Sequence, residues 1–210
     1  MNKTKIINII GASGSGKTSA AQVIEQISPY NIIKSYVTRA PRYKDEWGHT
    51  FLNDEWERNG SFFINKLDPT TFISHDEMIA YFYGYKKNEH YFATKNQVDC
   101  NNINFYIVDV DGAKQVKNYY KNNADVLVST IYLQVDEINR WKRLYKRAKN
   151  HDFDGTIALT YEEEQEIHHR LNKDKDLFIG VECDYVIQGN NISVEEVAEL
   201  MISYAERIGE

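Results

Sequence analysis

The run Gly11, Ala12, Ser13, Gly14, Ser15, Gly16, Lys17, Thr18 follows an apolar, β-branched stretch from Lys5 to Ile10. It precedes a helical stripe at Ala20, Ala21, Val23, Ile24 and Ile27. The string fits G-x-x-x-x-G-K-[ST], set between a strand and an amphipathic helix. This feature constrains the fold most, because a strand entering a helix through a tight loop opens a βαβ unit. Each residue type has a physical reason. Glycines let successive N–H groups turn inward toward phosphate oxygens. The helix aims its positive end at the same anion. Lys17 adds a mobile charge, the Thr18 hydroxyl is an oxygen ligand for a divalent cation, and Ser19 completes the loop.

The remaining periodicity alternates strand and helix. Ile32–Val37, Phe105–Val110, Val126–Val135 and Tyr185–Ile187 read as strands. Helices are expected from Ala113 to about Lys121 and from Asp136 through Ile138, Trp141 and Leu144. A last helix runs through Val197, Leu200 and Met201, where Ser193 and Glu196 have capping-box spacing. This order predicts an α/β fold of P-loop NTPase type, a mostly parallel sheet with helices on both faces. Two stretches interrupt it. Residues 38–103 contain a hairpin-like pair, Ala80–Tyr85 and His90–Thr94, and residues 148–179 are polar and acidic. The expected single domain has a core at 1–37, 104–138 and 180–210, a ligand-binding lobe at 38–103 and a lid at 139–179. In open parallel sheets, ligands bind beyond the carboxyl ends of the strands.

Composition narrows the function. The net charge of −6 comes without a long basic run, which disfavours nucleic acid as a partner. Met1 to Lys5 lead into too few apolar residues for a signal peptide or membrane span, so a cytoplasmic chain without a membrane partner is expected. Cys100 and Cys183 lack metal-ligand spacing and read as inert. The fifteen tyrosines read as scattered, polar-rimmed core residues.

Asp109 and Asp111 end a predicted strand, where a carboxylate holds Mg²⁺ directly or through water. Arginines concentrate in two places: Arg39 and Arg42 after the second strand, and Arg140, Arg143, Arg147 and Arg170 beyond the fourth. Phosphoryl transfer between two phosphate-bearing molecules needs cations from more than one side. Arg143 and Arg147, at i and i+4, share a helix face from which to reach the transferring group. Arg140 reads as a solvated residue. His151, His168, His169 and their neighbouring glutamates read as a solvated helix rather than a metal site, and Tyr81, Phe82, Tyr83 and Tyr85 as lobe core.

Taken in order, these residues resemble the guanylate kinase family of nucleoside monophosphate kinases. The similarity covers most of the chain. Beyond the loop at 11–18, it rests on Ser35, Thr38, Arg39, Pro41, Arg42 and Gly48, on Tyr91 to Thr94, on the Asp109–Asp111 strand end, on Arg143, Arg147 and Arg170, and on Asp184 to Ile187. The resemblance implies ATP and Mg²⁺ at the loop, with Thr18 and Asp109 toward the metal. It implies an acceptor phosphate held by Ser35, Arg39, Arg42 and Tyr91, with Asp45, Thr94 and Asp111 also on the acceptor side. Lys17, Arg143, Arg147 and Arg170 are then the catalytic cations.

Three positions depart from the family. Tyr83 stands where the family has its guanine-reading glutamate, with Glu77 and Glu89 as alternative carboxylates. Asp45 replaces a glutamate, and Phe51 replaces a phosphate-binding tyrosine. The expectation is an ATP-dependent kinase for GMP or a related monophosphate, working as a monomer or homodimer. The alternatives are a kinase for another phosphorylated small molecule and a non-catalytic binding module of the same shape.

Overall fold

The computed structural model describes residues 3–52, 55–84, 88–149 and 156–209. His151 and Tyr85 lie outside them. In chain order the elements are β1 (Thr4–Ile10), α1 (Lys17–Ile27), β2 (Asn31–Ile33), β3 (Ser35–Val37), β4 (His49–Phe51), β5 (Trp56–Asn59), β6 (Phe62–Asn65), β7 (Phe72–Ser74), β8 (Met78–Gly84) and β9 (Glu89–Thr94). There follow β10 (Ile103–Ile107), α2 (Val110–Tyr120), β11 (Val126–Gln134), α3 (Glu137–Lys149), α4 (Tyr161–Leu177), β12 (Tyr185–Gln188) and α5 (Val194–Arg207).

The protein is α/β. Five parallel strands form the central sheet in the order β2-β10-β1-β11-β12. β1 lies in the middle, so its side chains are enclosed on both faces. Ile7 and Ile9 join α1 and α5 in one core, while Ile6 and Ile10 face α2 on the other side. That alternation is the period of two that a strand imposes. Ile6, Ile7, Ile9 and Ile10 are all at most 1% exposed. Each contributes about 1.5–3 kcal/mol by burial. The chain leaves β1 toward β2 on one side and later crosses to β11 on the other. The cleft at the carboxyl end of β1 is therefore a place where strand order reverses.

The expected strand at Ile32–Val37 is two strands of different sheets. β2 pairs with β10, but after Lys34 the chain crosses into a second sheet, where β3 pairs with β9 and β4. That second sheet, β4-β3-β9-β8, lays Ile79, Ala80 and Ala93 against α2 and the central sheet. A third sheet, β5-β6-β7, covers its outer face through Leu52, Phe63, Met78 and Phe92. The helix expected from Ala113 starts earlier, at Val110. Asp109 caps it by accepting the Gly112 N–H at 2.7 Å. Ser193 and Glu196 form the expected capping box on α5. The acidic stretch before residue 179 contains a seventeen-residue helix, α4. It packs on α3 through Leu144, Ile167 and Leu171. Among the described residues, no helix is long and apolar enough to cross a membrane.

Candidate functional site

The glycine-rich loop joins β1 to α1, at the carboxyl edge of the central sheet. Its tightness has steric causes. A side chain at Gly11 would put Cβ 2.7 Å from the Leu133 carbonyl oxygen, and Gly14 takes a φ of +79° with its Cα face against α3. The Lys17 ammonium turns back onto its own loop. It donates to the Gly11 oxygen at 2.6 Å, the Ala12 oxygen at 3.1 Å and the Ser15 hydroxyl at 3.4 Å. Desolvation pulls Lys17 down to about 8; the Asp174 carboxylate opposes that shift and Arg140 reinforces it. Ser15 and Ala12 are buried, Ser13, Gly14 and Gly16 half-buried, and Thr18 and Ser19 exposed at the start of α1.

Arg143 reaches the loop from α3. It donates to the Ser15 oxygen at 2.7 Å and to the Gly189 oxygen, in the connection to α5, at 2.9 Å. Both contacts fasten backbone, so Arg143 braces the loop where a role on the transferring group was expected. Arg147, one turn on, is exposed. Partial desolvation and then the charges of Arg170 and Arg42 lower its guanidinium, with Tyr43 and Glu46 opposing. Arg42 from the second lobe and Arg170 from α4 are thus near enough for their charges to act on Arg147 of α3. Arg170 is also held by Glu166, at 2.6 Å.

Arg39 is the anchor of the second lobe. Its guanidinium grips Glu46 with two nitrogens, at 2.7 and 2.8 Å, and donates from Nε to the Tyr91 hydroxyl at 2.9 Å. The Tyr91 hydroxyl in turn donates to Glu89 at 2.8 Å. Hydrogen bonds from Arg39 hold the Glu46 carboxyl down to about 2 against desolvation, and the Arg42 backbone N–H adds to the effect at 2.7 Å. Asp45, expected on the acceptor side, is exposed in a left-handed turn with φ of 62°, and the next residue, Glu46, meets the arginines. Phe51 lies beneath the Arg39 guanidinium, 5.4 Å from its ring centre. His49 packs edge-on to Phe51 and Tyr91. Burial, and then Arg39, lower the His49 imidazole.

The pairing of β8 with β9 sets which side chains share this face. Phe82 lies opposite Tyr91, and Gly84 opposite Glu89. Tyr83 lies opposite His90 and stacks on it at 4.7 Å, on the reverse face that the third sheet covers. Tyr83 therefore does not stand in the row with Tyr91 and Arg39; Phe82, 46% exposed, does. Glu77 lies in the turn before β8, near Lys95 at 3.7 Å. Thr94 is buried at the end of β9, with its N–H on Gln97. Ser35 is buried against the Tyr106 hydroxyl at 3.1 Å, and burial pushes that phenol up to about 12.

Asp109 gives one carboxylate oxygen to the cap of α2. Asp111 is exposed near Lys114 at 4.0 Å, on the outside of the helix. No group of three or more His, Cys, Asp or Glu suited to a metal is found among the described residues. Two concavities lie away from this loop, one between α2 and residues 180–184 and one beside Tyr30 and Lys34.

Of two further residues in this region, the sequence misread one and passed over the other. Arg140, expected in solvent, is 7% exposed and pairs with Asp174 of α4 at 3.4 Å. Asp174, 8% exposed, also accepts the Ser13 N–H of the loop at 2.6 Å. Its signal was present: Ile167, Leu171 and Asp174 follow the spacing of one helix face, so an acid occupies an apolar stripe.

No family model matches the chain, and no curated protein matches it. Among solved structures it is similar to an uncharacterized protein from Eubacterium ventriosum ATCC 27560, at 12% identity. That match covers 96% of this chain and 98% of the other, with a TM-score of 0.46.

Proposed function

We propose that the chain is an ATP-dependent kinase of P-loop NTPase type. It transfers the γ-phosphoryl group to the phosphate of an acceptor such as GMP or a related nucleoside monophosphate. The carrying observation is that α3 holds the lysine-bearing glycine loop through Arg143, while Arg147, one turn on, feels the charges of Arg42 and Arg170 from two other segments. Like charges gathered without an equal number of carboxylates are stabilised by a bound anion. In this reading 38–103 holds the acceptor, and 139–179 is a lid that excludes water.

Lys17 leaves the loop carbonyls for the β- and γ-phosphates. Arg42 and Arg147 orient the acceptor phosphate, and Arg170 neutralises charge that develops on the transferring group. No general base is required, since the acceptor phosphate is already ionised. Thr18, at the start of α1, and Asp109, which spends one carboxylate oxygen on the cap of α2, are the residues that would hold Mg²⁺, an ion that takes few protein oxygens and keeps several waters. The ion would offset charge on the phosphate oxygens.

One observation favours a second acceptor class. The β8 residues facing Tyr91 carry no carboxylate, and Glu89 is engaged by Tyr91, so a phosphorylated small molecule without a guanine edge also suits the cleft. The test is ATP and Mg²⁺ with a panel of nucleoside monophosphates and sugar phosphates, followed by phosphorus NMR. ADP formation that depends on one acceptor supports the reading. A chain that transfers to none of them is not this kinase.

A further inference from the structure

An arginine beside a phosphate cradle is ordinary; a carboxylate inside one is not. Asp174 is charged like the ligand the loop is shaped to hold, yet it accepts the Ser13 N–H at 2.6 Å. Its other partner is Arg140, a buried guanidinium whose Nε has no hydrogen-bond partner. A buried arginine with a spare N–H has donor capacity left over, and a phosphate oxygen uses such donors well. The Asp174 charge also acts on Lys17, the residue that would meet the same phosphates. Three cationic or donor groups of the cradle are thus answered by one internal anion.

We propose that α4 is an internal lock on the phosphate cradle. Asp174 holds a loop amide that a polyphosphate oxygen takes, so docking of Asp174 and binding of polyphosphate exclude one another. This rests on the reading of the loop as a phosphate site. When a polyphosphate enters, the Ser13 N–H exchanges the Asp174 carboxylate, and Lys17 its loop carbonyls, for phosphate oxygens, and Arg140 turns its spare N–H to the same anion. The Asp174 end of α4 withdraws, while the apolar contact of Leu144 with Ile167 and Leu171 keeps the helix on α3. The empty enzyme is thereby held shut, and each binding event must overcome the lock.

The experiment is calorimetric titration of ATP·Mg²⁺ and of inorganic triphosphate into wild type, Asp174→Asn and Asp174→Ala. Asparagine keeps the volume and removes the charge. Both variants should bind both ligands tighter, by about 5- to 150-fold, the usual range of coupling between exclusive states. Wild type should in addition show the Asp174 carboxyl carbon and the Ser13 amide shifting together in NMR as triphosphate is added, which needs no variant to fold. If wild type binds and the variants bind equally or more weakly, or if Ser13 shifts while Asp174 stays fixed, the lock is wrong and the kinase reading stands. If none of the three proteins binds either ligand, both the lock and the phosphate site fall.

Discussion

Arg39 and Glu46 form a two-pronged ion pair in which both side chains are nearly withdrawn from solvent, 7% and 5% exposed. The pair bends the segment after β3 back on itself, because Glu46 also accepts the Arg42 N–H. Removing one partner strands the other charge in a desolvated place, so Glu46→Ala should cost about 3–5 kcal/mol of stability. The pH dependence follows from the sign of the shift. Glu46 sits at about 2 in the folded chain against 4.5 unfolded. Its contribution is full above 4.5 and is lost as pH falls from 4.5 toward 2. Urea midpoints of wild type and Glu46→Gln at pH 7, 4 and 2.5 check this. The gap between the proteins should close on acidification, and a constant gap would refute it.

Lys17 should report its own protonation when ATP binds. The folded value of about 8 means that part of the population is neutral at pH 8.5. Phosphates favour the charged form, so binding at that pH should take up at most about three-quarters of a proton. Affinity should then fall as pH rises past 8. Titrations in two buffers of different ionisation enthalpy measure the uptake. Lys17→Ala should show no such uptake and should lose nearly all transfer while unfolding like wild type. Transfer within about tenfold of wild type, only about 1.4 kcal/mol, would remove Lys17 from the mechanism.

Arg143 and Arg147 share a helix face but should fail in different ways. Arg143 donates to two backbone oxygens that pin the loop, and charged hydrogen bonds are worth about 1.5–3 kcal/mol each. Arg143→Ala should lower the melting temperature as well as turnover. Arg147 instead faces Arg170 and Arg42, so Arg147→Ala relieves like-charge repulsion. Its melting temperature should hold or rise while kcat falls by tenfold or more. Differential scanning calorimetry beside initial rates separates the two, and equal losses of stability would show that Arg147 is structural.

What the sequence made legible was whatever one short window carries. β1, the glycine loop and α1 are local: an apolar run, a spaced string and a helical stripe. The third sheet was not legible, because Trp56, Phe63 and Ile73 are spread among polar turns and meet only through pairing. α4 was read as a solvated helix around His168 and His169, and its acidic outer face hid the buried one, Ile167, Leu171 and Asp174. The single strand read at Ile32–Val37 breaks at Lys34, where nothing in the local pattern marks a change of sheet. In the candidate site, the arginine spacing singled out the segment after β3, α3 and α4, which carry Arg39 and Arg42, Arg143 and Arg147, and Arg170. The carboxylate that pairs with Arg39, Glu46, was not singled out in the sequence. Tyr83 was misplaced by a face, since a one-residue shift reverses a strand, and β8 carries an irregularity between Met78 and Ala80.

That reversal changes the prediction about the acceptor base. Phe82, not Tyr83, shares a face with Tyr91 and Glu89, and a benzyl ring accepts no N–H from a guanine edge. A site that hydrogen-bonds a substrate group rejects analogues lacking it by about 10⁴ or more, and a site without the acceptor discriminates far less. Wild type should therefore prefer GMP over AMP by under about a hundredfold in kcat/KM, or prefer another phosphorylated acceptor. Phe82→Glu should move preference toward GMP, because a carboxylate accepts two adjacent N–H groups. Tyr83→Glu should not; it breaks the stack on His90 and should chiefly lower stability. The measurement is kcat/KM for GMP, dGMP, AMP, UMP and CMP with wild type and both variants. Exclusive GMP activity in wild type would mean that Glu89 leaves the Tyr91 hydroxyl to read the base. A GMP gain in Tyr83→Glu alone would mean that the face assignment of β8 is wrong.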